Sequence, residues 1–244
     1  MSLRTTIATA DGKAPYVRGL FSTIADRYDL ITVLLSGGQD RRWKQRLLDL
    51  AGPLEGRMLV DLACGTGDIA YAAASRGARV TGLDLTPRMI TLARTKRERV
   101  PGAARPPRFV VGDMMALPLA TASCDVVTTG YGLRNVPAIG PAIGEIRRIL
   151  RPGGLLLSLD FNRPTSALVR GLYHGYLTLV GSGLGLALHG DPDTYRYIPE
   201  SIRVYPGADR VVGMLQDGGF RQARWIPVLG GLLAIHVAQR DAAA

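Results

Sequence analysis

The chain has 244 residues, 47% of them hydrophobic and 20% charged, which fits one large globular domain or one core domain with a small insertion. Only two cysteines, Cys64 and Cys124, and an N-terminus interrupted by Arg4, Asp11, Lys13 and Arg18 argue against a secreted, disulfide-built protein, so a reducing, cytoplasmic location is the expectation. The formal net charge of +10 favours an anionic partner, whether nucleic acid, acidic substrate or anionic membrane surface, and does not choose among them.

Residues 1–55 read as helical: Leu20, Ile24, Tyr28 and Ile31 are spaced for one helix face, followed by Trp43, Leu47 and Leu50, and no strand pattern precedes Arg57. From there strands and helices alternate. A strand at 58–63 leads to a helix at 68–75, a strand at 79–84 to a helix at 87–99, and short strands at 109–111 and 125–130 to a helix at 138–150. The turn Arg151-Pro152-Gly153-Gly154 then opens a strand at 155–161. Such alternation predicts an α/β fold, a parallel sheet covered by helices on both faces.

After Pro164 the alternation stops, and 162–205 reads as an insertion. Its stretch 171–188 has His174 as its only group that ionises near neutral pH and just reaches the length of a bilayer span. Five glycines weaken a helix there and no second span follows, so a buried or lid-like helix is expected instead. A helix at 209–218 and strands at 224–228 and 232–238, joined across Gly230-Gly231, predict a hairpin closing the far edge of the sheet. The whole chain is thus expected to be one domain: a helical segment 1–55, a core 56–161, an insertion 162–205, and a closing helix and hairpin 206–244.

The strongest local feature is Val60-Asp61-Leu62-Ala63-Cys64-Gly65-Thr66-Gly67-Asp68, an apolar strand running into a glycine turn and then a helix. Ligands of open parallel sheets sit outside the carboxyl ends of the strands, and a turn without Cβ atoms lets backbone amides approach them. A dinucleotide would call for Gly-x-Gly-x-x-Gly; here Gly65-Thr66-Gly67 runs into Asp68, which would repel phosphates. Asp84 ends the second strand, where a carboxylate can accept ribose hydroxyls. Gly112-Asp113-Met114 follows the third, placed to flank an adenine. A cationic sulfonium cofactor suits such an acid-lined mouth. Taken singly, a Gly-Thr-Gly turn is often only a turn, and an aspartate at a strand end is often only a helix cap; their order and spacing carry the argument.

Five segments, Arg27-Tyr28-Asp29-Leu30, Asp61 to Asp68, Ala116-Leu117-Pro118, Tyr131-Gly132-Leu133-Arg134-Asn135-Val136 and Tyr195-Arg196-Tyr197-Ile198-Pro199-Glu200-Ser201-Ile202, together with the closing Gly230-Gly231-Leu232-Leu233-Ala234-Ile235-His236, carry a resemblance. Through them the chain resembles the ubiquinone and menaquinone biosynthesis C-methyltransferase family from about Phe21 to Arg240. The resemblance implies a Rossmann-like, mostly parallel seven-stranded sheet and methyl transfer from S-adenosylmethionine to a ring carbon of a polyprenylated quinol. It matches Thr66, Asp84, Asp113 and Met114 to cofactor contacts and puts Gly130 in the cofactor site; beside it, Asp61, Gly65 and Gly67 are expected at the cofactor from the turn they form, Arg134 and Asn135 in catalysis from their place past the fourth strand, and Tyr195 and Tyr197 at the substrate. Gly130 departs from the serine that relatives often carry, so a hydrogen bond there is missing or supplied otherwise. Gly181-Ser182-Gly183-Leu184-Gly185 departs from a proline-containing pattern, which leaves the shape of the lid open.

A quinol carbon becomes nucleophilic once a neighbouring hydroxyl, with a pKa near 10 by analogy with tyrosine, loses its proton. Arg134 is placed to stabilise the phenolate but stays protonated, so the base is expected to be a water held by Arg134 and Asn135, or Asp160. Against these roles stand plainer ones: Arg134 paired with an acid, Asp160 capping a helix, Tyr195 and Tyr197 packed in the core. His174, His189 and His236 lack metal-ligand spacing, so no metal is expected, and Cys64 is given no redox role. Arg41, Arg42, Lys44, Arg46, Arg94, Lys96, Arg97 and Arg99 read as solvated helix faces that also suit peripheral docking on anionic lipid at the inner face of the membrane. Two other readings stay open: methylation of phospholipid amines or another small molecule, and a non-catalytic RNA-binding or regulatory protein. The second is opposed by an aromatic content of only 6%. No nucleic-acid partner is expected, and a homodimer is the default for a soluble oligomer.

Overall fold

A computed structural model of the chain describes residues 3–7, 9–96 and 105–242. The N-terminal segment is helical, as its spacing predicts: α1 (Leu3–Ile7), α2 (Ala10–Ile24), α3 (Tyr28–Ser36) and α4 (Asp40–Asp49). Thr9 caps α2 by accepting a hydrogen bond from the Gly12 amide, and Gly37, at φ 56°, ends α3. The alternating core follows with β1 (Met58–Leu62), α5 (Asp68–Ala74), β2 (Arg79–Asp84), α6 (Pro87–Lys96), β3 (Arg108–Val111), β4 (Cys124–Gly130), α7 (Ile139–Ile149) and β5 (Leu150–Phe161). The expected end of α6, 97–99, lies outside the described residues. β5 begins five residues earlier than its apolar run suggests, because Leu150 already pairs with Cys124 and a register shift between Cys124 and Val126 absorbs the Pro-Gly-Gly turn.

The insertion forms α8 (Ala167–His189) and α9 (Tyr197–Val204), and the chain closes with α10 (Ala208–Asp217), β6 (Phe220–Val228) and β7 (Leu233–Arg240). The seven strands make one sheet in the order β3-β2-β1-β4-β5-β7-β6. The first five are parallel, and β7 runs antiparallel between β5 and β6, the expected hairpin. Helices α4, α5 and α6 bury Leu47, Leu48, Ala73 and Ile90 against one face, and α7 and α10 bury Ile143, Ile146, Val211 and Leu215 against the other. β1 lies between β2 and β4, so the strand order reverses there and opens a crevice above the carboxyl ends of these strands.

The glycine-rich segment does not interrupt α8, which runs unbroken for 23 residues from its Ser166 cap. Two of its five glycines, Gly181 and Gly185, face inward, while Gly171, Gly175 and Gly183 are exposed. A Cβ on Gly185 would lie 2.4 Å from the Asp191 carbonyl and one on Gly181 3.3 Å from Tyr195 Cβ, so their absence lets residues 191–195 lie flat on the helix. The opposite face exposes Leu168, Leu172, Leu179 and Leu186. The expectation of a buried helix does not hold: of its residues only Leu177, Gly181 and Gly185 are buried. Among the described residues no helix is long and apolar enough to cross a membrane.

Candidate active site

The end of β1 turns sharply. Ala63 (φ 50°), Gly65 (φ 53°) and Gly67 (φ 87°) are all left-handed, and a Cβ on Gly67 would sit 2.8 Å from the Phe109 ring. At the end of β4, beside it, Tyr131 is left-handed too (φ 62°). For residues with a side chain this conformation costs roughly 1–2 kcal/mol, and such strain concentrates at functional sites. Asp84, ending β2, ties the turn down: its Oδ2 accepts the Gly65 amide at 2.9 Å and its Oδ1 the Thr86 amide at 2.8 Å. Burial pushes its carboxyl above the ordinary aspartate value. Asp113 accepts the Met115 amide at 2.8 Å, and Met114 is buried beside it. Together Gly65, Asp84, Asp113, Met114, Gly130 and Asn135 line a cavity of about 90 Å³. No lysine, arginine or histidine is among the residues that line it. A phosphate-bearing nucleotide would find no counter-charge there, whereas a phosphate-free sulfonium cofactor fits.

A second, smaller cavity beneath the glycine turn holds Asp61, Thr66, Asp68 and Lys44. Asp61 Oδ1 accepts the Thr128 hydroxyl at 2.8 Å, while its Oδ2 is buried without a partner. Burial raises this carboxyl to about 7, with the Thr128 bond and Lys44 pulling the other way. An orphaned carboxylate oxygen is the expected acceptor for an ammonium or other donor of a bound molecule. Asp68 pairs with Lys44 at 2.9 Å and with Lys96, and the two lysines bring it down to about 2 against the opposing effect of its burial. That corrects the argument that Asp68 repels phosphates: its charge is already balanced, and the acid character of the mouth rests on Asp61, Asp84 and Asp113. Lys44 and Lys96 are likewise not solvated faces. Lys44 is also 2.5 Å from Asp40, and Lys96 2.9 Å from Asp29, whose other oxygen accepts the Thr66 hydroxyl at 2.5 Å.

A Cβ on Gly130 would meet only the flexible end of Ile69, Cδ1 at 2.9 Å, so no rigid neighbour demands glycine at the position.

Past β4, a short turn at Leu133–Asn135 presents Arg134. The guanidinium is buried, with Nε 3.1 Å from Asp160 Oδ1 and Nη1 donating to Ser201 Oγ at 2.6 Å. Its centre lies 4.9 Å from the Phe161 ring centroid and 6.0 Å from that of Tyr197. Asp160 also accepts the amides of Arg134 (2.9 Å) and Phe161 (2.8 Å). Fully buried and engaged at both oxygens, it orients Arg134, which counts against the expectation that it is the base. Asn135 donates to the Tyr131 carbonyl at 2.8 Å and accepts the Tyr197 hydroxyl at 2.9 Å. Arg134, Tyr195 and Tyr197 line a cavity of about 570 Å³ whose other walls are almost wholly aliphatic or aromatic. Phe21, Tyr28 and Tyr131 line both this cavity and the acid-lined one.

Of the residues expected from the sequence, all but Gly67 and Asp160 line one of these three cavities; Gly67 lies in the turn and Asp160 behind Arg134. Sequence reasoning missed Asp29, Asp40, Lys44 and Lys96, which bind the N-terminal helices to the turn. The signal for part of it was the Asp40–Lys44 spacing of one helical turn. Among the described residues no group of three or more metal-ligating side chains converges.

Comparison with known proteins gives the family and the fold of the chain. The model of the ubiE/COQ5 methyltransferase family matches residues 9–240. The chain is 40% identical over 233 residues to the ubiquinone/menaquinone biosynthesis C-methyltransferase UbiE of Paracoccus denitrificans, covering 95% of this chain and 92% of that protein. It is 39% identical over 223 residues to the demethylmenaquinone methyltransferase of Thermus thermophilus, covering 91% of this chain and 100% of that one. Among solved structures, a putative methyltransferase bound to the Haloferax volcanii Trm112 activator aligns with a TM-score of 0.65 at 19% identity, over 91% of this chain and 97% of its own. The magnesium protoporphyrin IX methyltransferase of Synechocystis, solved with bound SAH, aligns at 0.64 and 19% identity, over 93% and 99%. At that identity these likenesses speak to the fold.

Proposed function

The chain belongs to the ubiE/COQ5 methyltransferase family, and from that premise we propose that it methylates a ring carbon of a polyprenylated quinol, using S-adenosylmethionine, in a reaction of the demethylmenaquinol-to-menaquinol kind. The observation that carries this reading is the 570 Å³ cavity: Arg134 is the sole permanently charged residue among those that line it, and it shares a wall with the cofactor site. An apolar cavity of that size suits an isoprenoid-bearing ring. A lone cation suits a substrate that becomes an anion, and it would repel the ammonium of a phospholipid amine.

Asp84 would hold the ribose of the cofactor, Asp113 and Met114 its adenine, and Asp61, Gly65, Thr66, Gly67 and Gly130 its amino-acid end. When bound, S-adenosylmethionine supplies an electrophilic methyl group. The chain's own part is positioning and charge. Asp160 and Ser201 fix the Arg134 guanidinium, which stabilises negative charge on the quinol oxygen in a site sheltered from water. Asn135 locks Tyr197, and Tyr195 and Tyr197 form the wall against which the ring is held. Water exclusion strengthens each of these interactions.

The cavity opens where Val169, Leu172, Tyr176 and Leu229 are both lining residues and exposed. Leu168, Leu179 and Leu186 on α8 and Leu30, Val33 and Leu34 on α3 extend that apolar rim. We read this surface as the face that rests on the inner leaflet, where a polyprenylated quinol resides.

The test is methyl transfer from labelled S-adenosylmethionine, offered in parallel a reduced demethylmenaquinone, a demethoxy-type polyprenyl benzoquinol and a phospholipid amine. Label on a quinol is the expected result and identifies the branch. Label on the phospholipid alone overturns the substrate.

A further inference from the structure

The sulfur of S-adenosylmethionine carries an adenosyl group, an amino-acid chain and the methyl group that is transferred. The protein offers a cavity to each of the three: one around Asp84, Asp113 and Met114, one around Asp61 and Thr66, and the apolar one at Arg134. A sulfur with one substituent in each cavity lies where the cavities meet. Among the described residues only Tyr28 and Tyr131 line all three.

Both rings are fixed from outside that junction. Tyr131 ends β4 in left-handed backbone (φ 62°), its amide donating to the Leu159 carbonyl at 2.6 Å and its carbonyl accepting from Asn135 Nδ2 at 2.8 Å. Its hydroxyl donates to the buried Asp40 at 2.8 Å, and its ring packs on Phe161 with the centroids 5.4 Å apart. Tyr28 opens α3 and faces the glycine turn: its Cε1 lies 3.5 Å from where a Cβ on Gly65 would stand, and Phe21 meets its ring edge to face at 6.1 Å.

A cation at the junction has no carboxylate that spans it. Asp84 and Asp113 line only the adenosyl cavity, Asp61 and Asp68 only the amino-acid one, and no carboxylate lines the apolar one. The two phenols stay neutral. Burial, with Asp40 adding to it, raises Tyr131 well above the ordinary tyrosine value, and burial raises Tyr28 to about 12 against the pull of Lys44. What the rings offer is therefore their negative faces, which attract a cation more strongly where water is kept out. Asp40 reinforces this at Tyr131, because a phenol that donates to a carboxylate is polarised towards higher electron density in its ring.

We propose that Tyr28 and Tyr131 are the sulfonium-binding pair of this site and that through them the protein distinguishes loaded from spent cofactor. Methyl transfer leaves the C–S electron pair on sulfur and removes its positive charge, so the rings hold the sulfonium and release their hold on the neutral thioether. This rests on the cofactor part of the reading above and is independent of the quinol.

The test compares S-adenosylmethionine with S-adenosylhomocysteine, which differ at this atom, by isothermal calorimetry. Tyr28→Leu and Tyr131→Leu should each weaken the first about tenfold and the second by less than about twofold. Because a lost ring can also disturb the turn, a graded series accompanies them: phenylalanine and its mono-, di- and trifluorinated forms in place of Tyr28 keep the ring's shape and withdraw its electron density stepwise. Log Kd for S-adenosylmethionine should rise with each added fluorine, over about tenfold in all, while that for S-adenosylhomocysteine stays flat. Equal losses for both ligands in the leucine variants, or an S-adenosylmethionine affinity indifferent to fluorination, overturns the pair and leaves the methyltransferase reading standing. A wild-type protein that binds neither ligand overturns both.

Discussion

Arg134 Nε and Asp160 Oδ1 meet at 3.1 Å with both side chains buried, and Ser201 accepts from the other edge of the guanidinium at 2.6 Å. Breaking one side of a buried pair leaves an uncompensated charge and costs about 3–5 kcal/mol. Asp160→Asn is therefore expected to be strongly destabilised in a urea titration. Adding Arg134→Met should recover part of that stability and none of the methyl transfer, since the phenolate would then lack its counter-charge.

Asp29 and Thr66 lie 37 positions apart in the chain and are joined at 2.5 Å, so the N-terminal helices hold the cofactor turn in place. Asp29→Ala is expected to weaken S-adenosylmethionine binding about tenfold, as the loss of a charge-assisted hydrogen bond would. Isothermal calorimetry measures this directly. The unfolding midpoint should shift little, because the partly exposed Asp29–Lys96 pair contributes little on its own.

Stability without cofactor should carry an unusual pH signature from Asp61. Its folded carboxyl is raised to about 7, while an unfolded aspartate titrates near 3.9. Between those values the folded state holds a proton that the unfolded state releases, so this group's contribution to stability falls as pH rises from about 4 to 7. Asp68, held at about 2, acts oppositely: its contribution is present above pH 4 and is lost as pH falls towards 2. Asp61→Asn should thus be more stable than wild type at pH 8 and equal to it near pH 4, in denaturant titrations of both proteins.

Leu179 and Leu186 are exposed on α8 and line none of the cavities. Burying a leucine side chain contributes roughly 1.5–3 kcal/mol. Replacing both by Glu is expected to reduce co-flotation with anionic vesicles at least tenfold while leaving turnover of a short-chain, water-soluble quinol unchanged.

The alternation from β1 to β5 and the closing hairpin were legible because each strand's apolar run is bounded by glycine, proline or a capping residue. So were the carboxyl-end residues Asp61, Asp84 and Asp113, since they fall where successive strands stop. What distance along the chain conceals is partnership. Lys44 and Lys96 reach Asp68 from 24 and 28 positions away, and on their own helices both look like ordinary solvated cations. Asp160 stood open between a base and a helix cap because nothing local shows that the turn carrying Arg134 folds back onto it. The start of β5 was hidden for a related reason: Pro-Gly-Gly signals a turn, and pairing with β4 holds it extended.

Phe21, Tyr28 and Tyr131 each present one side to the acid-lined cavity and another to the apolar one. Occupying either chamber restricts the same three rings, so the two ligands are thermodynamically linked, and whatever factor the quinol contributes to cofactor affinity is returned in equal measure to its own. Release of the demethylated cofactor is therefore expected to lower the affinity of the site for the methylated quinol as well.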